Sequence, residues 1–155
     1  SGYVAAPYTY GNSTVAAFEM KIGEEKVRFL LNPSQPVSYL DQKTAMRIKL
    51  SATALNEFIL VGGKKTQLHL AKVNKLTIAG VPQPEVEFRI TDLPSAGQAG
   101  AVPIQTCMIF RFPEVKQRMT QVISIDGVLG LDFVMKLGGL IDYKSQKMFV
   151  KTKTK

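Results

Sequence analysis

The stretch FLLNPSQPVSYLD, residues 29–41, decides how this chain is read. An apolar run, Phe29-Leu30-Leu31, stops at Asn32-Pro33-Ser34, and a second apolar run, Pro36 to Leu40, follows at once. Pro33 has no backbone N–H and a fixed φ, so the first run cannot continue through it as a paired inner strand. Strand, sharp loop, strand is the expected order. The next segment, DQKTAMRIKL (41–50), loses the alternation, and Asp41 ahead of Ala45 and Ile48 is placed as the N-cap of a short helix.

Outward from this point strand signals dominate. TVAAFEMKIG (14–23) and EKVRFLLN (25–32) are β-type runs separated by a short Gly23-containing turn, which predicts a hairpin. NEFILVGGKKTQLHLAKVNKLTIAG (56–80) predicts a second hairpin with its tip at VGGKK, then a further strand. PEVEFRITDL (84–93) alternates Val86, Phe88 and Ile90, expected inward, against Glu87, Arg89 and Thr91, expected outward. VISIDGVLGLDFVMKLG (122–138) passes from a strand through two glycines into a helix, and LIDYKSQKMFVK (140–151) closes as a hairpin turning at Ser145-Gln146. The segment 94–120 begins Gly/Ala/Pro-rich and turns apolar from Ile104 to Phe112, so its second half is expected to pack on something. No repeat and no long linker divides the chain. The expected fold is one mainly-β domain over 1–155, a closed or partly closed barrel with one or two short helices, and a basic tail at 151–155.

The bulk properties fit. A chain of 155 residues, 45% hydrophobic and 21% charged, has the composition of an ordinary globular domain. No apolar run approaches the ~20 residues of a membrane helix. The formal charge of +8 comes from lysines scattered along the chain, dense only at KTKTK, with no nucleic-acid signature beside them. A solvated basic surface is therefore expected rather than specific nucleic-acid binding. Cys107 alone makes no internal disulfide, and one His with one Cys gives no metal-site spacing, so neither a metal nor another cofactor is expected. The chain opens at Ser1-Gly2 as a trimmed end would, which leaves open a preceding signal and an extracytoplasmic location.

The order of elements resembles that of the retropepsin-like aspartic proteases. FLLNPSQPVSYLDQKTAMRIKL is similar to the family's active-site segment, in which an apolar strand leads into Asp-Thr/Ser-Gly, a loop, a strand and a helix. DGVLGLDFVMKLGGLIDYKSQKMFV is similar to its closing segment, with Val128-Leu129-Gly130 followed by a helix from Asp132. The resemblance covers about 14–93 and 122–151, and 94–120 stands as an insertion. It implies a lobe that dimerises or joins a second lobe, each supplying one Asp, with a hairpin flap closing over an extended peptide. By position Asn32, Pro33 and Ser34 replace Asp, Thr/Ser and Gly; Val61, Gly62, Gly63 and Lys64 take the flap tip; and KMFVK offers a strand for pairing with a second copy.

All three loop positions depart from the motif, and each departure has a chemical consequence. Aspartic proteolysis needs two close carboxylates that share a proton. The Asn32 amide does not titrate, Pro33 lacks the bracing hydroxyl, and Ser34 lacks glycine's freedom at positive φ. Ser34 as a nucleophile would need a histidine, and His69 is expected to face solvent on the flap strand. Cys107, among Ile104, Met108 and Ile109, is expected as a buried hydrophobe. Asp126 and Asp142 are expected to be structural. The expected function is a catalytically inactive, aspartic-protease-like domain that binds an extended peptide or a partner protein. The alternatives are a peptidase relying on another lobe or on unrecognised residues, and a purely structural domain.

Overall fold

The computed structural model describes residues 2–10, 16–61, 63–93 and 125–152. The segment 94–120 lies outside them, together with Cys107 and the apolar run Ile104 to Phe112. The described chain runs β1 (Tyr3–Tyr10), β2 (Ala16–Ile22), β3 (Glu25–Leu31), β4 (Tyr39–Asp41), α1 (Gln42–Arg47), β5 (Thr53–Val61), β6 (Lys64–Val73), β7 (Leu76–Ile78), β8 (Val81–Pro82), β9 (Val86–Thr91), β10 (Gly127–Leu129), α2 (Leu131–Lys136), β11 (Leu140–Asp142) and β12 (Lys147–Lys151).

Local chemistry made most of these elements. The β2–β3 hairpin turns at Gly23, whose φ of +62° is open to glycine at no steric cost. Helix α1 starts where Asp41 accepts a hydrogen bond from Lys43 N, as the cap predicted. The last hairpin pairs Asp142 with Lys147, with Gln146 at positive φ in its turn.

Non-local pairing sets the architecture. The strands form one sheet in the order β11-β12-β1-β2-β3-β10-β4-β9-β6-β5, with β7 on β2 and β8 on β7. Among the described residues the path stays open, since β11 and β5 do not meet. Strand β10 is inserted between β3, to which it is parallel, and β4, to which it is antiparallel. The chain leaving β3 must therefore pass round the end of β10 to become β4, and residues 32–38 make that passage.

The core lies on one face. Phe29 stacks on Phe88 with ring centroids 5.3 Å apart, and Phe88 meets Phe133 at 6.2 Å. Each such ring contributes roughly 1.5–3 kcal/mol on full burial. Val86, Phe88 and Ile90 point inward as expected. Thr91 does not point to solvent: it is buried, because it sits at the end of β9 directly beside Asp41 of β4. Strand β1 was not anticipated. Pro7 interrupts its pattern, and it lies where β1 hands over from β12 (Tyr3 to Pro7) to β2 (Tyr8 to Tyr10). Neither described helix is long and apolar enough to cross a membrane.

Candidate functional site

Asn32 ends β3 with its backbone N–H donating to Leu129 O at 2.8 Å, which fixes the loop to β10. Its side chain is buried. Oδ1 accepts from Ser34 N at 3.2 Å, closing a local turn, while Nδ2 has no partner among the described residues. Pro33 is half-buried and Ser34 exposed. Gln35, 1% exposed, leaves both amide atoms without a partner among the described residues, although its backbone N–H donates to Asn32 O and its carbonyl accepts from Leu131 N. Three buried, unpaired polar atoms thus lie within four residues. A buried unpaired group costs about 1–3 kcal/mol.

The closing segment facing this loop is fully engaged. A Cβ on Gly130 would lie 2.5 Å from Val37 O, and one on Gly127 would lie 2.4 Å from Tyr39 O, so only glycine lets the chain wrap β10 this closely. Gly130 N donates to Ser38 Oγ at 2.8 Å, and Ser38 Oγ donates in turn to Asp132 Oδ1 at 2.6 Å. Asp132 also accepts from Ser38 N and Phe133 N. Sequence reading missed this relay. Asp132 in the first turn of a helix was the one available signal, and Ser38 sits unmarked within an apolar run.

Register identifies a second face. Leu30, Val128, Tyr39, Arg89 and Leu70 are neighbours across β3, β10, β4, β9 and β6, on the side opposite the core. Leu30 and Val128 form a small apolar cluster with Ala17 and Ile125. Asn32 follows two residues after Leu30. Tyr39 and Leu68 are buried on this side without belonging to the core clusters. Burial raises the Tyr39 phenol pKa, opposed by the nearby Arg89 guanidinium.

The β5–β6 hairpin ends the sheet path beside this face. Its pairing slips between Ala54 and Phe58, and the bulge re-aims Glu57 toward Arg89. Arg89 Nε donates to Glu57 Oε2 at 2.9 Å and Nη2 to Oε1 at 3.2 Å. This bidentate bond holds the Glu57 pKa below its ordinary value and raises that of Arg89. At the tip Val61 pairs with Lys64, and Gly63 has φ +79°; Gly62 lies outside the described residues. His69 is exposed and paired with Ile90, which places it on the opposite face from Arg89.

The remaining candidate carboxylates hold the fold together. Asp126 accepts from Arg28 N, Thr44 Oγ1 and Arg47 Nη2. Asp142 accepts from Lys144 N, Ser145 N and Ser145 Oγ, and the Ser145 hydroxyl leads the causes that lower its pKa. An open cleft of about 640 Å³ surrounds Asp126, and its carboxylates (Glu19, Asp41, Asp126) are all engaged by neighbours. Among the described residues no three His, Cys, Asp or Glu side chains form a metal-binding group. Strand β12, the KMFVK expected to pair with a second copy, already has β11 on one edge and β1 on the other. A pairing partner would therefore meet the other edge of β11, which has no strand beside it among the described residues.

Known structures share this architecture. The chain is similar to a retropepsin-like aspartic protease from Rickettsia conorii, with a TM-score of 0.54 and 11% identity over 97% of this chain and 91% of that one. It is also similar to the retroviral protease-like domain of Ddi1 from Leishmania major, with a TM-score of 0.51 and 12% identity over 95% of this chain and 89% of that one. No protein-family model and no curated protein matches it. At such identities the likeness establishes the fold.

Proposed function

We propose that this chain, which has the retropepsin-like aspartic protease fold, is a non-catalytic domain that binds an extended peptide or a segment of a partner protein. The observation that carries the reading is Asn32. Its place at the end of β3, hydrogen-bonded to β10, is the place of a catalytic carboxylate in this fold, and an amide there cannot accept the proton of an attacking water. The two other carboxylates near the loop and the non-core face do not replace it. Asp132 is occupied by three donors, and Glu57 is held ionised by Arg89. The lowered pKa of Glu57 is the opposite of what a general acid requires.

Binding needs none of this chemistry. An extended segment can lie along the non-core face between the 32–38 loop and the β5–β6 hairpin, whose tip residues Val61, Gly62, Gly63 and Lys64 would close over it. Leu30, Val128 and Tyr39 supply apolar contact, and main-chain hydrogen bonds supply sequence-tolerant affinity. Self-association is compatible with this reading, through the loop or the β11 edge. Light scattering across a concentration series measures it separately.

The test is incubation of the protein with a diverse peptide mixture from about pH 3 to 7, with bound and cleaved species read by mass spectrometry. Captured, uncleaved peptides are expected. Cleavage blocked by a transition-state inhibitor of aspartic proteases would overturn the proposal, and so would failure to retain any peptide.

A further inference from the structure

The outer face of the terminal strands is apolar at its centre and basic at its borders. In β12 Met148 and Val150 are buried in the core, so Lys147, Phe149 and Lys151 point to the other side. Register carries that side across three strands. Leu140, Phe149 and Ala5 form one row, Lys151 stands beside Tyr3, and Lys147 stands between Asp142 and Pro7. Leu140 is 58% exposed and Tyr3 42%, and Phe149 is half-buried without joining either core cluster. Tyr143, 61% exposed, and Lys144 follow in the turn between β11 and β12. The face lies apart from the proposed groove, because β11, β12 and β1 stand at the opposite end of the sheet path from β9, β6 and β5.

The charge of this face is one-sided. Among the described residues Lys144, Lys147 and Lys151 make no ion pair, whereas Arg28, Arg47 and Arg89 are all paired within the fold. Asp142 is the acid that the register places here, and its carboxylate already accepts from Lys144 N and from Ser145. In sequence Lys151 opens the run KTKTK, so two more lysines follow it. A protein partner and a lipid surface make different demands on such a face. Interfaces between proteins favour arginine, whose planar fork bonds a carboxylate at two points, and are poor in lysine. An anionic bilayer presents diffuse charge above an apolar interior. Lysine meets that charge as a flexible point charge on an apolar stem, and tyrosine sits at headgroup level. We propose that this face docks on the surface of an anionic phospholipid membrane, with Leu140 and the tyrosines in the interface and the lysines among the headgroups. The inference stands apart from the groove reading and shares no residue with it.

The test uses the full chain and vesicles of phosphatidylcholine, alone or with about one third phosphatidylglycerol. Co-sedimentation is expected with the anionic vesicles and not with the neutral ones, and it is expected to fall as salt is raised. Lys147→Glu/Lys151→Glu should weaken it by about tenfold or more, since each lysine at the surface contributes roughly fivefold. Lys21→Glu/Lys75→Glu changes the net charge equally, at two exposed lysines near the β2–β7 pairing, and should leave binding within about twofold. The chain has no tryptophan, so Leu140→Trp places a single reporter on the face. Its emission is expected to shift to the blue on anionic vesicles and to be quenched by brominated acyl chains. Equal loss in the two lysine pairs overturns the proposal, because diffuse attraction of a cationic protein then explains the binding. Absence of vesicle binding, or a reporter that neither shifts nor is quenched, overturns it too. Tighter retention by soluble polyglutamate than by the anionic vesicles would assign the face to an acidic protein partner and also overturn it.

Discussion

The loop after β3 and the segment around β10 face each other across one parallel pair, and they have fared differently. Around β10 every demanding contact is met: two glycines where a Cβ has no room, and two aspartates each taking three hydrogen bonds. In the loop, by contrast, Asn32 and Gln35 bury three polar atoms with no partner among the described residues. The backbone of the loop is fixed to its neighbours, through Asn32 N to Leu129 O and Leu131 N to Gln35 O, while these buried amide atoms of its side chains are not. A change at a close-packed glycine or a fully bonded carboxylate costs folding energy, whereas a change at an unpaired buried amide breaks no bond.

The largest test of that contrast is Gly130→Ala. Its methyl would have to displace the backbone of Val37 and Gln35, which cannot yield as a side-chain tip can. A loss of roughly 3 kcal/mol or more is expected in chemical denaturation. Gly63→Ala, with open space around it, should cost far less despite its positive φ. If the two cost the same, close packing around β10 is not what distinguishes the regions.

Asp132→Ala comes next. It strands Ser38 N, Ser38 Oγ and Phe133 N, and about 1–3 kcal/mol of stability should be lost. On the loop side the sign should reverse. Gln35→Met keeps the volume and removes an unpaired buried amide, so it should be neutral or stabilising by up to about 1 kcal/mol. A clear destabilisation would mean that Gln35 has a bonding partner after all and that the loop is as well satisfied as its neighbour. Asn32→Asp should not produce cleavage of the peptide mixture, since Pro33 and Ser34 remain.

The smallest effect is that of pH. The Glu57 pKa is lowered from 4.5, chiefly by its hydrogen bonds to Arg89, with Tyr39 and Asp132 nearby. A depressed carboxylate contributes stability that is fully present above its unfolded value of 4.5 and is lost as pH falls through the lower folded value. Exchange at 55–66 should therefore rise only below pH 4.5, and in Glu57→Gln that rise should vanish. Asp142 behaves likewise below 3.8 at its own turn. A hairpin that loosens near neutral pH would point to another group.

The sequence by itself determined the local features. Turn glycines placed the β2–β3 hairpin, Asp41 capped α1, alternation turned Val86, Phe88 and Ile90 inward, and Asn32-Pro33-Ser34 marked the loop that ends β3. Each rests on residues within a few positions of one another, where periodicity and side-chain capping act. Tertiary structure decided the rest. Strand β1 joins β12 from the opposite end of the chain, Thr91 is buried because β4 lies beside it, Ser38 finds Asp132 across 94 residues, and a bulge brings Glu57 to Arg89 across 32. These contacts depend on which strands become neighbours, and that choice comes from burying one shared core, so no local stretch of sequence carries a sign of it.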